Sequence, residues 1–356
     1  MRQTESGGQM PKGKNEVKRI LITGAGAPAG INVIQSLRQA TGYYLVGVDT
    51  CRERLVLSGA DANYQVPRTD NPDYLPAIWK IIDAEKTDFF WPQPDRDVLW
   101  AAVHAAELPL TFLPPADMIR RCQDKYELLR MHTARKVHRV KTLACIDKAF
   151  CEMGLPLWMR ATYGAGGRGS TKVTSRLMAT SWLAYWQSRG DDIEFMAEEY
   201  LPGRNIAWES IWHNGKLICS QGRERLEYVY DHAAPSGVTG SSTISRTIDA
   251  PDVDAEGVRV VQSLMRQPHG IFSVDLKGDK DGRPQVTEVN AGRLFTMSML
   301  LTETGCNFAD IHLRLAFGQE IPEVRQFGAC EPGLYWIRHM DAPGRVVRER
   351  EFPPCC

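Results

Sequence analysis

Residues 271–290, IFSVDLKGDKDGRPQVTEVN, decide how this chain folds and what it can hold. Two apolar-rich runs flank the turn-forming GDKDG, so the segment folds back on itself as a β-hairpin. That fold sets Asp275 opposite Glu288, and because strand side chains alternate between faces, Asn290 shares their face. Two carboxylates and an amide oxygen together suit Mg²⁺, a hard cation that takes oxygen ligands and completes its shell with water and phosphate oxygens. A solvated polar face is the other reading of the same three residues, and the hairpin alone leaves both open.

Upstream, LPLWMRATYGAGGRGSTKV (155–173) spells a strand, a glycine-rich loop and a second strand, followed by a helix rich in Trp and Ala. In the loop, Gly164, Gly166, Gly167 and Gly169 surround Ala165 and Arg168. Glycine lets main-chain N–H groups approach anionic oxygens with no Cβ in the way, although a tight hairpin without any ligand uses the same residues. Lys125 and Arg160 would neutralise a triphosphate if they converge on this loop.

Toward the N-terminus, ILITGAGAPAGINVIQSLRQA (20–40) reads as strand, glycine turn and helix, with Ile31, Ile34 and Leu37 at helical spacing. YYLVGVDT (43–50) is a second buried strand ending at Asp49, and DFFWPQPD (88–95) is a third. Strands alternating with helices predict a parallel α/β sheet. Residues 1–16, with little to bury, are expected as a flexible arm, and 17–115 as the α/β domain. Pro114 and Pro115 mark a boundary into a helix running through CQDKYELLRMHTARK (122–136). The second domain, 116–325, reads as antiparallel strands from FMAEEYLPG (195–203) onward, and 326–356 as a C-terminal extension.

The order of these pieces resembles the ATP-grasp superfamily over roughly residues 17 to 325: Asp124-Lys125 opening a helix, WMRATYGAGGRG, MAEEYLPG, then SVD and TEVN. The similarity is to the branch containing biotin carboxylase, carbamoyl phosphate synthetase and amino-acid ligases. It implies a Rossmann-like domain followed by a two-lobed ATP-grasp fold, mixed α/β and α+β. The activity implied is an ATP-dependent joining of a carboxylate to an amine through an acyl phosphate. In that family Lys125 and Arg160 match the residues that hold the phosphates, and 164–169 matches the flap over them. Glu198, Glu199, Tyr200 and Leu201 match the segment that receives adenine. Asp275, Glu288 and Asn290 match ligands of Mg²⁺, with Mn²⁺ as a substitute. A ribose-binding acid common after the PG is replaced here by Asn205, with Glu209 four residues on. Arg293 stands one residue later than the family's usual arginine, where it would reach an acyl phosphate or carboxylate. Arg223 and Arg225 resemble a pair near the substrate, a solvated strand edge being the alternative.

Two competing readings exist. Gly24, Gly26 and Gly30 with Asp49 approximate a dinucleotide fingerprint and an NAD-dependent oxidoreductase, although the spacing is GxGxxxG. An inactive nucleotide-binding regulator is the other, and retention of all three candidate metal ligands argues against it. The segment YVYDHAAPSGVTGSSTISR (228–246) is expected as a mobile loop that shapes the substrate site. Lys plus Arg and Asp plus Glu both number 43, so no global field draws the chain to nucleic acid or anionic membrane. The lack of a long apolar run and of paired CxxC motifs, with nine cysteines, predicts a cytoplasmic protein with free thiols. Two-fold homodimers are the commonest soluble oligomers, which makes a homodimer the base-rate expectation.

Overall fold

Alternation of buried apolar residues with a glycine turn builds the first layer. The computed structural model describes residues 17–190 and 193–353; the expected N-terminal arm and the Cys355-Cys356 pair lie outside them. Strands β1 (Lys18–Thr23), β2 (Tyr43–Asp49), β3 (Ala62–Gln65) and β4 (Phe89–Trp91) form a parallel sheet in the order β3-β2-β1-β4. Helices α1 (Pro28–Arg38) and α2 (Tyr74–Glu85) make the crossovers, and α3 (Asp95–Val103) follows β4. Pro28 opens α1 where its missing N–H costs nothing.

The expected continuous helix through 122–136 is broken: α4 (Ala116–Gln123) stops and α5 (Lys125–His132) restarts. Asp124 at the break is extended (φ −88°, ψ 97°) and its carboxylate accepts the Glu127 N–H at 3.0 Å. A capping carboxylate satisfies an orphan donor, which outweighs the helix propensity of the flanks. The consequence is functional, because Lys125 becomes the first residue of a helix.

Next, β5 (Val137–Val140), α6 (Leu143–Met153), β6 (Leu157–Ala161), β7 (Thr171–Val173), α7 (Arg176–Ser188) and β8 (Phe195–Glu199) build a small lobe. Its antiparallel sheet runs β5-β8-β6-β7, and α6 and α7 bury Ile146, Ala149, Leu183 and Trp186 against it.

The large sheet follows: β9 (Asn205–His213), β10 (Lys216–Tyr228), β11 (Ser242–Ile248), α8 (Pro251–Leu264), β12 (Gly270–Gly278) and β13 (Pro284–Ala291). After α9 (Met299–Glu303) and α10 (Phe308–Ala316), β14 (Leu334–His339) and β15 (Ala342–Arg348) complete it in the order β13-β12-β9-β10-β11-β14-β15. The stretch expected as an extension therefore adds two strands to this sheet, and Trp336 is buried in the core. Likewise, the last five residues of the expected 228–246 loop belong to β11.

The two faces of this sheet differ. Trp208, Trp212, Phe272 and Val274 point one way and pack under α8. On the opposite face, Ile211 and Ile271 share a core with β1, α1, α9 and α10, whereas Glu209, Ser273, Asp275, Arg223 and Arg225 lie further along the same strands. Apolar residues thus dock the first domain at one end, and polar ones are left for a cleft at the other. No helix among the described residues is long and apolar enough to cross a membrane.

Candidate active site

A cleft of about 570 Å³ lies between the small lobe and the polar end of the large sheet. Register places its acids. Asp275 on β12 pairs directly with Glu288 on β13, and Asn290 pairs with Ser273, so all three side chains share the cleft face as alternation predicts.

Each of these groups meets a cation. Arg225 donates to Asp275 Oδ1. Lys125 Nζ lies 3.5 Å from Glu288 Oε1, and Arg160 Nη1 lies 3.9 Å from Oε2. Arg293 Nη2 donates to Asn290 Oδ1 at 2.7 Å, while its Nε donates to Asp95 at the start of α3 at 2.5 Å. Burial opposes the charges of Arg225 and Arg293, but Asp275 and Asp95 respectively hold both above the ordinary guanidinium value. The acids have the hard-oxygen chemistry a divalent metal needs, so two carboxylates and an amide would accept Mg²⁺ with the cations turned elsewhere. Among the described residues, no three His, Cys, Asp or Glu side chains group as a metal set, so the amide is needed to complete this one.

The glycine loop closes the phosphate end. Gly164, Gly166 and Gly167 have φ between 70° and 100°, and Lys125 Nζ donates to the Gly164 carbonyl at 2.5 Å. A Cβ on Gly167 would stand 2.3 Å from the Val238 carbonyl oxygen, so only glycine lets the flap rest on the 229–241 segment. Arg168 lines the cleft with its guanidinium 5.5 Å from the Trp186 ring centre. Gly169 does not line it; its carbonyl accepts from Trp182 Nε1 at 3.0 Å.

At the other end, Glu199, Tyr200, Leu201 and Asn205 line the cleft with Trp158. Lys172 Nζ is 4.3 Å from the Tyr200 ring centre and Lys277 Nζ 5.6 Å, which gives a flat aromatic site with cations beside it. Burial, then Lys172, lowers the Lys277 ammonium. Glu198 lines the cleft beside them. Its carboxylate is buried between Arg135 Nη2 and Arg160 Nε, each at 2.6 Å, so both oxygens are committed to ion pairs.

Glu209 is corrected as well. It lies on the cleft face but beneath Phe295, whose N–H it accepts at 2.8 Å, and it does not line the cleft. Complete burial raises its carboxyl well above the usual range. Asn205 alone of the two reaches the cavity. Arg223 and Arg225 occupy the central strand β10, and the solvated-edge alternative fails. Arg223 donates to Ser242 at 3.1 Å and Ser245 at 3.0 Å, lies 4.1 Å from the Phe295 ring centre, and has its guanidinium pKa lowered to about 9 by burial and then by Arg225. Arg135, Trp158, Lys172 and Lys277 were not anticipated. Lys277 was reachable, since it stands two residues after Asp275 and shares its face. Arg135 carries no local signal.

The N-terminal glycines close on themselves. Asp49 accepts from the Gly26 N–H at 3.1 Å and the Cys51 N–H at 2.9 Å, and a Cβ on Gly26 would meet Arg54 at 2.6 Å. The carboxylate and glycine face that a dinucleotide would use are both occupied by the chain.

Among solved structures, the overall fold is similar to that of N5-carboxyaminoimidazole synthetase from Staphylococcus aureus complexed with ADP, with a TM-score of 0.70 at 18% identity, covering 91% of this chain and 83% of that one. The chain has the ATP-grasp fold. The same fold aligns with L-amino acid ligase from Bacillus licheniformis (TM-score 0.66, 16% identity, 91% and 79% covered). It also aligns with a biotin carboxylase domain dimer from Hydrogenobacter thermophilus 2-oxoglutarate carboxylase, in complex with MgADP, ADP and bicarbonate (0.66, 16%, 90% and 73%). By sequence, formate-dependent phosphoribosylglycinamide formyltransferase from Nostoc sp. is 24% identical over 347 residues, 92% of this chain and 83% of that protein. No family model matches. These ATP-grasp proteins share architecture with the chain at identities too low to carry a substrate across.

Proposed function

We propose that this protein is an ATP-dependent ligase that joins a carboxylate to an amine and releases ADP and phosphate. The observation that carries the reading is the convergence of Lys125, Arg160 and the glycine flap on Glu288, with Asp275 and Asn290 beside it, inside one cleft. The fold of enzymes solved with ADP supports it.

In this reading a substrate carboxylate attacks the γ-phosphate of ATP, the bond to the β-phosphate bridging oxygen breaks, and ADP leaves. The amine then attacks the acyl carbon and phosphate departs. Such transfer needs alignment and neutralisation of developing charge more than covalent help from the protein. Lys125 and Arg160 would leave Glu288 for the phosphates, and the amides of 164–169 would close over them. Asp275, Glu288 and Asn290 would hold Mg²⁺, or Mn²⁺ in its place, which when bound neutralises phosphate charge. Tyr200, Leu201 and Trp158 would enclose adenine, with Glu199 and Asn205 at its edge. Arg223, Arg225 and Arg293 would meet the carboxylate and acyl phosphate. A domain limit near residue 115 belongs to the same proposal, as does a homodimer like the one solved for a biotin carboxylase domain. The seven described cysteines are all free, which supports a cytoplasmic setting.

The test is ADP release over paired carboxylates and amines. Glu288→Ala is expected to lower turnover at least a hundredfold with an unchanged circular dichroism spectrum. Normal turnover by that variant removes the metal assignment.

A further inference from the structure

A second cavity of about 420 Å³ opens at the carboxyl ends of β1 and β2, walled by the segment before and into α3. Open parallel sheets bind ligands at this edge. Tyr74 lines it, is only 2% exposed, and its hydroxyl has no hydrogen-bond partner. A buried unpaired hydroxyl costs free energy that a ligand would recover.

The charges in the cavity are unequally committed. Asp49 is held by the Gly26 and Cys51 amides, and Asp95 by Arg293. Asp97 lines the cavity and accepts a hydrogen bond from the Thr23 side chain, but has no ion pair among the described residues. Burial pushes Asp97 up to about 6, opposed by Thr23 and reinforced by Asp49. On the rim, Arg68 and Arg96 both pair with Asp70, whereas Arg54 has no ion pair among the described residues. The crevice therefore offers a carboxylate with no ion pair beside an orphan hydroxyl at one place and a guanidinium with no ion pair at another.

A phosphate does not fit the glycine turn beside it. The Ala25 amide donates to the Val48 carbonyl, Gly26 to Asp49 and Ala27 to the Gly24 carbonyl, so these three N–H groups are spent within the chain. The cavity also touches the cleft. Gly164 of the flap lines both, and Asp95 on its wall leads through Arg293 to Asn290.

We propose that this crevice binds the amine co-substrate as a zwitterionic α-amino acid, its ammonium between Asp97 and Tyr74 and its carboxylate toward Arg54. The co-substrate role rests on the ligase reading, but the binding site stands on its own geometry. Held there, the amine lies beside the flap under which an acyl phosphate would form.

Each of the twenty common L-α-amino acids is titrated calorimetrically into the full chain without nucleotide, together with ribose 5-phosphate. The strongest binder is repeated as its N-acetyl derivative and its amide. At least one amino acid is expected to bind, with a Kd raised tenfold or more in Asp97→Asn and by N-acetylation, and about threefold in Tyr74→Phe. Arg54→Ala is expected to weaken the amino acid while leaving its amide unaffected. Binding of an ATP analogue by Asp97→Asn and Tyr74→Phe, unchanged from wild type, shows that they fold. No binding by any of the twenty, equal binding by Asp97→Asn, or preference for ribose 5-phosphate overturns the site. Amino-acid binding by a wild-type chain that ignores the ATP analogue removes the ligase reading instead.

Discussion

Replacing Glu198 by glutamine tests the ion network that ties the small lobe to the large sheet. The Glu198 side chain is 2% exposed and receives Arg135 and Arg160, each at 2.6 Å. These arginines reach across to β13, Arg135 donating to the Val286 carbonyl at 2.9 Å and Arg160 to the Thr287 carbonyl at 2.6 Å. A neutral amide leaves two buried guanidiniums facing each other without their shared counter-charge. Removing one partner of a buried pair costs about 3–5 kcal/mol. Because the carbonyl contacts survive, the lower end, about 3 kcal/mol, is expected. A chain with several packed layers need not unfold in one step, so the loss is best read locally. Hydrogen exchange over residues 137–199 should quicken by roughly a hundredfold, the equivalent of about 3 kcal/mol, while the parallel sheet at 18–91 keeps its protection. Unchanged exchange in the small lobe, or equal quickening everywhere, refutes the reasoning.

Other outcomes follow from single positions. Gly167→Ala forces a Cβ to within 2.3 Å of the Val238 oxygen at a φ of +70°, so the flap should lift from the 229–241 segment. The KM for ATP should then rise at least fivefold, and a retained KM with faster proteolysis nowhere in 164–169 would contradict that packing. Asp97 has a carboxyl raised from 3.8 to about 6, so the folded state binds its proton more tightly than the unfolded chain. Its contribution is greatest below pH 4 and is lost as pH rises through 6, a difference on the order of 3 kcal/mol. Urea titrations should show wild type losing stability relative to Asp97→Asn between pH 4 and 7; parallel curves would exclude the shift.

How far the sequence foretold this site depended on the range of the interaction. Pairing of Asp275 with Glu288 was legible because GDKDG fixes the turn and strand alternation fixes the face. The parallel sheet was legible for the same local reason, in ILITGAG and YYLVGVD. The break at Asp124 was partly legible, since Asp is a favoured helix cap, but the helical spacing on both sides of it carries no sign of the interruption. Asn205 and Glu209 have the same parity on β9, so alternation could not separate them; burial under Phe295, eighty-odd residues away, did. Arg223 and Arg225 were similarly undecided until the order of the sheet put β10 in its middle. Arg135, just before β5, and Glu198 meet only when β5 pairs with β8, a contact for which neither neighbourhood carries a pattern.

The central claim is that the cleft of Lys125, Arg160 and Glu288 takes ATP with a divalent metal. Calorimetric titration of a non-hydrolysable ATP analogue, with and without Mg²⁺ and beside NADH on the same sample, tests it most directly. The account predicts binding that tightens with Mg²⁺, loses that dependence in Glu288→Ala, and shows no heat with NADH. NADH binding without ATP-analogue binding would contradict it and return attention to Gly24, Gly26, Gly30 and Asp49.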